Sequence, residues 1–344
     1  MSVARTLDAS ALERYFASAL PSVGSVSTVR QFDGGQSNPT YLIEASSGRY
    51  VLRRKPPGAL LPSAHAVDRE FRVIRALRDT QVPVPEALCF CADESVIGTV
   101  FYVMEYVPGE IYRDPDLPEM TPAQRAKIYD ELNRVIAALH SIDPQAVGLE
   151  DFGRAGNYAE RQIARWTQQY RASETEKIDA MERLIDWLPA HIPTDEQEQT
   201  RIIHGDYRIG NVIFDRDTLT LRAVLDWELS TLGNPLADFA YHCMPYRLPA
   251  SMSSCVGAGA ISRPGIPSEA EYLRRYCERT GRATTIRSFD FYCAFGMFRL
   301  AAILQGVKAR SLQGNASSTD AFEAGNRARP MAEAGWAQVV RAHH

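Results

Sequence analysis

Three oxygen-bearing side chains stand at the ends of short apolar runs in the middle of the chain. Asp206 and Asn211 lie in the polar loop His204-Gly205-Asp206-Tyr207-Arg208-Ile209-Gly210-Asn211, between Ile202-Ile203 and Val212-Ile213-Phe214. Asp226 closes the next run, Leu221-Arg222-Ala223-Val224-Leu225. Apolar runs of this length read as small strands, which would bring the polar residues together at neighbouring strand ends. Such a set suits phosphoryl transfer. Asp206 would orient the attacking hydroxyl or accept its proton. Asn211 and Asp226 would ligate the magnesium that bridges the phosphates of ATP.

These groups need a frame, and periodicity supplies one. A helix is expected over Asp8–Ala19, with Leu12, Tyr15, Phe16 and Leu20 on one face and Asp8 or Ser10 as its cap. Strands follow at Val26–Phe32, Thr40–Ala45 and Arg49–Arg54, with turns at Asp33-Gly34-Gly35 and Ser46-Ser47-Gly48. Three strands so close, with no room for crossover helices, form an antiparallel meander. A helix over Ser63–Asp79 carries the stripe Val67, Phe71, Ile74 and Leu77, and strands follow at Glu86–Cys91 and Thr99–Tyr106. Beyond Gly109 the pattern turns helical. One helix starts at Thr121-Pro122 and buries Ile128, Leu132, Val135, Ile136 and Leu139. Others are expected at Tyr158–Arg171, Lys177–Leu188, Leu236–Cys243, Ser268–Thr280 and Ser288–Lys308, with closing helices around Pro330. Pro249–Pro267, rich in Ser, Gly, Ala and Pro, reads as a mobile loop near the acceptor, a candidate lid.

Within the first strands lie candidates for holding a nucleotide. Gly34 and Gly35 would let backbone N–H groups approach a triphosphate, with Ser37 and Asn38 as side-chain donors; an ordinary hairpin turn is the other reading. Val51, Arg53 and Lys55 share a strand face, where a cation would pair the α and β phosphates. The kinase pattern has a lysine there, but the register after Tyr50-Val51-Leu52 places Arg53, with Lys55 as second candidate. Guanidinium and ammonium are not interchangeable at such a site. Solvated basic residues at a strand end are the plain alternative.

His204-Gly205-Asp206 with Asn211, then Asp226 in Val224-Leu225-Asp226-Trp227-Glu228, resembles the aminoglycoside-phosphotransferase-like (protein-kinase-like) small-molecule kinases. Three further stretches, Tyr50 to Gly58, Gly98 to Glu105 and Leu232-Gly233-Asn234-Pro235-Leu236-Ala237-Asp238, make the chain similar to one branch, whose members also occur fused to acyl-CoA dehydrogenases. The similarity runs from about Phe32 into the last third of the chain. It implies an α+β, protein-kinase-like two-lobed fold: a small antiparallel-sheet N-lobe, residues 1–107, and a larger mainly helical C-lobe, residues 108–344, with ATP in the cleft. It implies Glu70 as the partner of the strand cation, and backbone groups at Glu105 and Val107 as partners of an adenine edge. It also implies Asp238 as a hydrogen-bonding support of the loop, ATP and Mg as cofactors, and a small-molecule hydroxyl acceptor.

Arg208 stands where protein kinases carry a lysine facing the transferred group. It would stabilise charge on the equatorial oxygens or bind an anionic part of the acceptor, unless it simply faces solvent. His204 is read as a buttress of the loop. The branch resemblance suggests a hydroxy acid or its acyl-CoA thioester as acceptor, an anion that Arg208 and Arg113 would suit. A polycationic aminoglycoside would instead want an acidic pocket. Two alternatives stay open: an antibiotic kinase, and a catalytically silent nucleotide-binding protein, which Arg53 in place of lysine favours.

Composition narrows the rest. A net charge of -4 and a pI near 6.0 give no electrostatic case for nucleic acid or an anionic membrane. No apolar run approaches the ~20 residues of a spanning helix, and the first residues lack a secretory pattern, so a cytoplasmic protein is expected. The six cysteines are scattered; only Cys89 and Cys91 are close, and their thiols are expected on opposite faces of a strand, reduced and in the core.

Overall fold

The computed structural model describes residues 7–32, 38–56, 66–194, 200–249, 252, 263–283, 286, 288–313 and 321–342. Gly34, Gly35 and Ser37, and most of the expected lid, lie outside them. The chain divides into two compact units. One takes the described residues up to Gly109 together with Arg222–Glu228; the other takes Glu110–Leu221 and the residues from Leu229 onward.

The first unit starts with helix α1 (Ala9–Ala19), whose first N–H groups are met by the Asp8 carboxylate, at 2.9 Å from Ser10 and 3.2 Å from Ala11. Leu12 and Phe16 on its inner face are buried. Strands β1 (Val26–Gln31), β2 (Thr40–Ala45), β3 (Gly48–Arg54), β4 (Ala87–Cys91) and β5 (Phe101–Glu105) form a sheet of order β1-β2-β3-β5-β4. Every pairing in it is antiparallel. The apolar face, with Ile43, Leu52, Phe101 and Val103, packs on α1. In the register, Leu52 faces Val103 and Arg53 faces Tyr102, so alternation turns Arg53 away from that core. Helix α2 (Val67–Leu77) buries Val67, Val73, Ile74 and Leu77, and Glu70 among them. Cys89 and Cys91 do not point to opposite faces. Residues two apart on a strand point the same way, and both thiols lie against Tyr15, where with burial they push its phenol pKa up.

Strand β8 (Leu221–Val224) runs into the first unit, where the Val224 N–H donates to the Pro83 carbonyl at 2.8 Å. That bond ties Arg222–Glu228, and with it Asp226, to residues far earlier in the chain.

The second unit is mainly helical. Helix α3 (Pro122–Ser141) starts with a capping box between Thr121 and Gln124 and with Pro122 in its first turn. Helices α4 (Tyr158–Ala172) and α5 (Asp179–Ala190) lead to β6 (Arg201–Ile203), which pairs antiparallel with β9 (Thr231–Gly233). Between them lie the polar loop and β7 (Val212–Phe214). Helices α6 (Pro235–His242), α7 (Glu269–Thr280), α8 (Phe289–Leu312), α9 (Ala321–Asn326) and α10 (Ala328–Ala342) complete the unit. Most of α8 is buried, because it packs on α4, α6, α9 and α10 together. Pro330 does not separate the last helices. It sits in the first turn of α10, where a backbone N–H has no intrahelical partner to lose. Among the described residues no helix is long and apolar enough to cross a membrane.

Candidate functional site

In the first unit the chemistry gathers around Arg53. Its Nε lies 2.8 Å from Glu70 Oε2, an ion pair whose angle misses hydrogen-bond geometry. One terminal nitrogen donates to Asp226 Oδ1 at 2.5 Å and lies 3.8 Å from Glu228 Oε2. Both Glu70 oxygens are occupied: Asn38 Nδ2 donates to Oε1 at 2.7 Å and the Tyr102 hydroxyl to Oε2 at 3.0 Å. Burial, with Asp226 and Glu228 nearby, pushes the Glu70 carboxyl up to about 7, although Arg53 pulls the other way. Arg53 is itself desolvated, which lowers its pKa, yet Glu70, Tyr102, Asp226 and Glu228 hold it above its ordinary range. The two shifts look inconsistent for one pair. They share one cause: Glu70, Tyr102, Asp226 and Glu228 hold the Arg53 guanidinium charged, while burial and the neighbouring Asp226 and Glu228 raise Glu70.

Asp226 has a backbone φ of 65°, in the left-handed region that few residues other than glycine adopt; Asp tolerates it better than most. Its carboxylate is partly exposed, so one oxygen meets Arg53 while the group as a whole reaches solvent. Among the described residues no group of three or more His, Cys, Asp or Glu side chains is placed to hold a metal. Magnesium asks for less, one or two carboxylates with phosphate oxygens and water, and an oxygen-only donor fits it.

Two expected nucleotide contacts take a different form. Asn38 is 1% exposed and its amide N–H₂ donates to Glu70 and, at 3.4 Å, to Glu228. It therefore positions Glu70 rather than presenting a donor to phosphate. The Glu105 N–H donates to the Glu86 carbonyl at 3.0 Å, so a base edge could meet only its carbonyl. Val107 is buried at the end of the unit, and Lys55 lies one step beyond β3, its N–H bonded to the Val100 carbonyl.

In the second unit the loop holds Asp206 by both carboxylate oxygens. The Tyr241 hydroxyl donates to Oδ1 at 2.8 Å, Asn211 Nδ2 to Oδ2 at 2.8 Å, and Arg208 Nε to Oδ2 at 3.3 Å. Asn211 Nδ2 also donates to the Asp206 carbonyl at 2.8 Å. With the amide nitrogen so engaged, its carbonyl oxygen is the atom suited to a cation. Arg208 keeps 42% of its side chain exposed.

A buried network sets the loop. Asp238 accepts the His204 N–H at 2.7 Å on Oδ2 and the Gly205 N–H at 2.9 Å on Oδ1. His140 Nε2 lies 3.2 Å from Asp238 Oδ2 and its Nδ1 2.8 Å from the Tyr276 hydroxyl. Burial alone would raise the Asp238 pKa, but the bonds from His140 and the nearby His204 hold it below the carboxylate range. His204 Nδ1 in turn accepts the Asp206 N–H at 3.2 Å. Gly205 has φ +83°, and a Cβ there would meet the Leu229 carbonyl oxygen at 2.6 Å, so only glycine fits.

Sequence reasoning assigned no role to Tyr241, Arg299 or Glu228. Arg299 donates to the Gly205 carbonyl at 2.7 Å and lies over the Tyr241 ring at 5.3 Å. One signal was available for Tyr241: it follows Asp238 by three residues on α6, so both share a helix face. Nothing in spacing points to Arg299, which approaches from α8.

The profile of the phosphotransferase enzyme family matches residues 28–285. The chain is 50% identical over 332 residues to mouse acyl-CoA dehydrogenase family member 10, covering 95% of this chain and 30% of that protein. It spans less than half the length of the curated relatives it matches, 30% to 43%. A crystal structure of a candidate aminoglycoside phosphotransferase from Ralstonia eutropha superposes with a TM-score of 0.87 at 49% identity, over 98% of this chain and 99% of that one. A thermostable aminoglycoside phosphotransferase APH(4)-Ia in ternary complex with AMP-PNP and hygromycin B gives 0.60 at 16% identity, over 95% and 99%. The fold is thus the protein-kinase-like one, α+β with a small antiparallel sheet and a larger helical part.

Proposed function

The chain belongs to the phosphotransferase enzyme family, and from that footing we propose that it moves the γ-phosphoryl group of ATP to a hydroxyl of a small molecule. The observation that carries the reading is the double hold on Asp206, by Tyr241 on one oxygen and by Asn211 on the other. A carboxylate fixed in this way accepts a hydrogen bond from an incoming hydroxyl in one orientation and takes its proton as the phosphoryl group leaves ATP. Asn211, through its carbonyl oxygen, and Asp226 would hold magnesium. Bound magnesium supplies charge neutralisation on the β and γ phosphates. Arg53, kept in place by Glu70, holds the α and β phosphates, with Lys55 as the other candidate cation. The backbone at Gly34 and Gly35 and the Ser37 hydroxyl would cover the triphosphate. The Glu105 carbonyl and the Val107 N–H would meet the adenine edge.

For the acceptor, an aliphatic hydroxy acid or its CoA thioester is the reading we favour. Arg208 supports it, being a cation beside Asp206 with much of its side chain exposed. The name of the mouse relative places acyl-CoA chemistry in a longer protein that contains a segment like this one. The test is phosphoryl transfer from ATP followed by phosphorus NMR, with hydroxy acids, hydroxyacyl-CoAs and aminoglycosides as acceptors. Magnesium-dependent phosphorylation of the anionic acceptors, abolished by EDTA, is expected. Transfer to none of them would overturn the kinase assignment, and transfer to aminoglycosides alone would overturn the acceptor class.

A further inference from the structure

Helix α8 sends a cation into the interior of the second unit. Arg299 is 7% exposed, and among the described residues it forms no ion pair with a carboxylate. Its Nε is buried with no hydrogen-bond partner among them. A carbonyl and two rings offset the charge instead. One terminal nitrogen donates to the Gly205 carbonyl at 2.7 Å, and the guanidinium lies 5.6 Å from the centre of the Trp166 ring and 5.3 Å from that of Tyr241. Contacts of this kind suit a flat, weakly hydrated guanidinium better than an ammonium. Burying a charge with so little compensation is costly, whereas a leucine or methionine would fill a helix core without that cost.

Two of the three contacts bear on Asp206. Gly205 is buried at φ +83°, and its carbonyl belongs to the peptide that leads into Asp206. The other end of that peptide, the Asp206 N–H, donates to His204 Nδ1 at 3.2 Å. Arg299 thus fixes the carbonyl end of a peptide that glycine would otherwise allow to turn. Tyr241 is the second group. Burial and the charge of Asp206 push its phenol pKa up, so it stays protonated and donates to Asp206 Oδ1 at 2.8 Å. The ring that carries this hydroxyl lies against the guanidinium. We infer that Arg299 is the positioning residue for Asp206: it sets both the main chain that leads into the carboxylate and the phenol that holds it. The role rests on the phosphotransferase reading of Asp206 and adds to it a residue from a distant helix. Without the guanidinium a buried carbonyl loses a charged donor, a larger loss than that of a neutral bond.

The experiment compares Arg299→Met and Arg299→Lys with the unaltered protein. It reads kcat and KM with ATP, magnesium and an acceptor that the unaltered protein phosphorylates, nucleotide affinity by calorimetry, and amide hydrogen exchange. Arg299→Met should lower kcat about thirtyfold, with the KM for ATP and nucleotide affinity unchanged. Exchange should quicken at His204, Gly205 and Asp206 more than along α8. Arg299→Lys, which keeps the charge without the fork, should recover part of both. A residue that served packing alone would move α8 as much as the loop. Exchange that rises evenly along α8 and the loop, or not at all, therefore overturns the assignment, as does an unchanged kcat. If Arg299→Met does not fold, Arg299→Lys is judged by the same signs; failure of both to fold makes Arg299 a residue of stability and also overturns the role. If the unaltered protein phosphorylates no acceptor, the kinase reading fails and exchange alone decides: quickening confined to the loop supports the positioning of Asp206, and its absence overturns it.

Discussion

The two units hold their acidic groups by opposite means. Around Arg53 the first unit gathers Glu70, Asp226 and Glu228 on one guanidinium, an arrangement made of charges. The second unit holds Asp206 with a phenol, an amide and one exposed guanidinium, and Asp238 with two backbone N–H groups and a histidine. An ion cluster is tuned by whatever cation joins it. A carboxylate saturated by hydrogen bonds keeps its geometry with or without company. On the proposed function, the difference would suit a unit that takes up nucleotide and metal and a unit that holds the reacting carboxylate in place.

That contrast is open to test. The largest expected effect lies in the second unit: Asp206→Asn should lose on the order of 10²-fold or more in turnover, while calorimetry shows nucleotide affinity retained. Unchanged turnover would remove the proposed role of Asp206. In the first unit, Arg53→Met strips the cation from a buried acidic group. It should cost about 3 kcal/mol of stability, read from urea unfolding without ligand, with magnesium restoring part of the loss. No loss would mean that the acidic group does not depend on Arg53 for its stability.

A pH comparison probes the same contrast with opposite signs. The Glu70 pKa is raised from 4.5 to about 7, so its contribution is fully present below about 4.5 and disappears as pH climbs through about 7. His242 is lowered from 6.5 to about 4 by burial; its contribution is present above 6.5 and disappears as pH drops through about 4. Each is on the order of 3 kcal/mol across its window. Glu70→Gln should flatten the alkaline side of the stability profile and His242→Gln the acid side, each leaving the other side as it was. The smallest effect is expected for Tyr241→Phe. Loss of one bond to Asp206 Oδ1, worth about 1 kcal/mol, should lower turnover roughly fivefold with the KM for ATP unchanged.

Much of the frame was legible along the chain. Alternation and turn residues marked the strands of the first sheet, and Thr121-Pro122 marked the start of α3, because these signals are local. Residues read from the loop pattern, Asp206, Asn211 and Arg208, do come together, since five positions of chain join them. The inward turn of Asn38 was not legible. Only the approach of Glu70 from α2 decides which way its amide faces. Cys89 and Cys91, two positions apart on one strand, share a face rather than the opposite faces expected, because the side-chain period of a strand is two.

By itself the amino-acid sequence determined which chemical groups exist, in what order, and which short segments bend or extend, for these depend on neighbours a few residues away. Tertiary structure alone decided that Asp226 meets Arg53, 173 positions apart, that Tyr241 and Asn211 share one carboxylate, and that Arg299 reaches the Gly205 carbonyl from a distant helix. Those meetings arise from burial of whole faces and from the need to satisfy every buried polar atom at once, conditions that no local window of sequence contains.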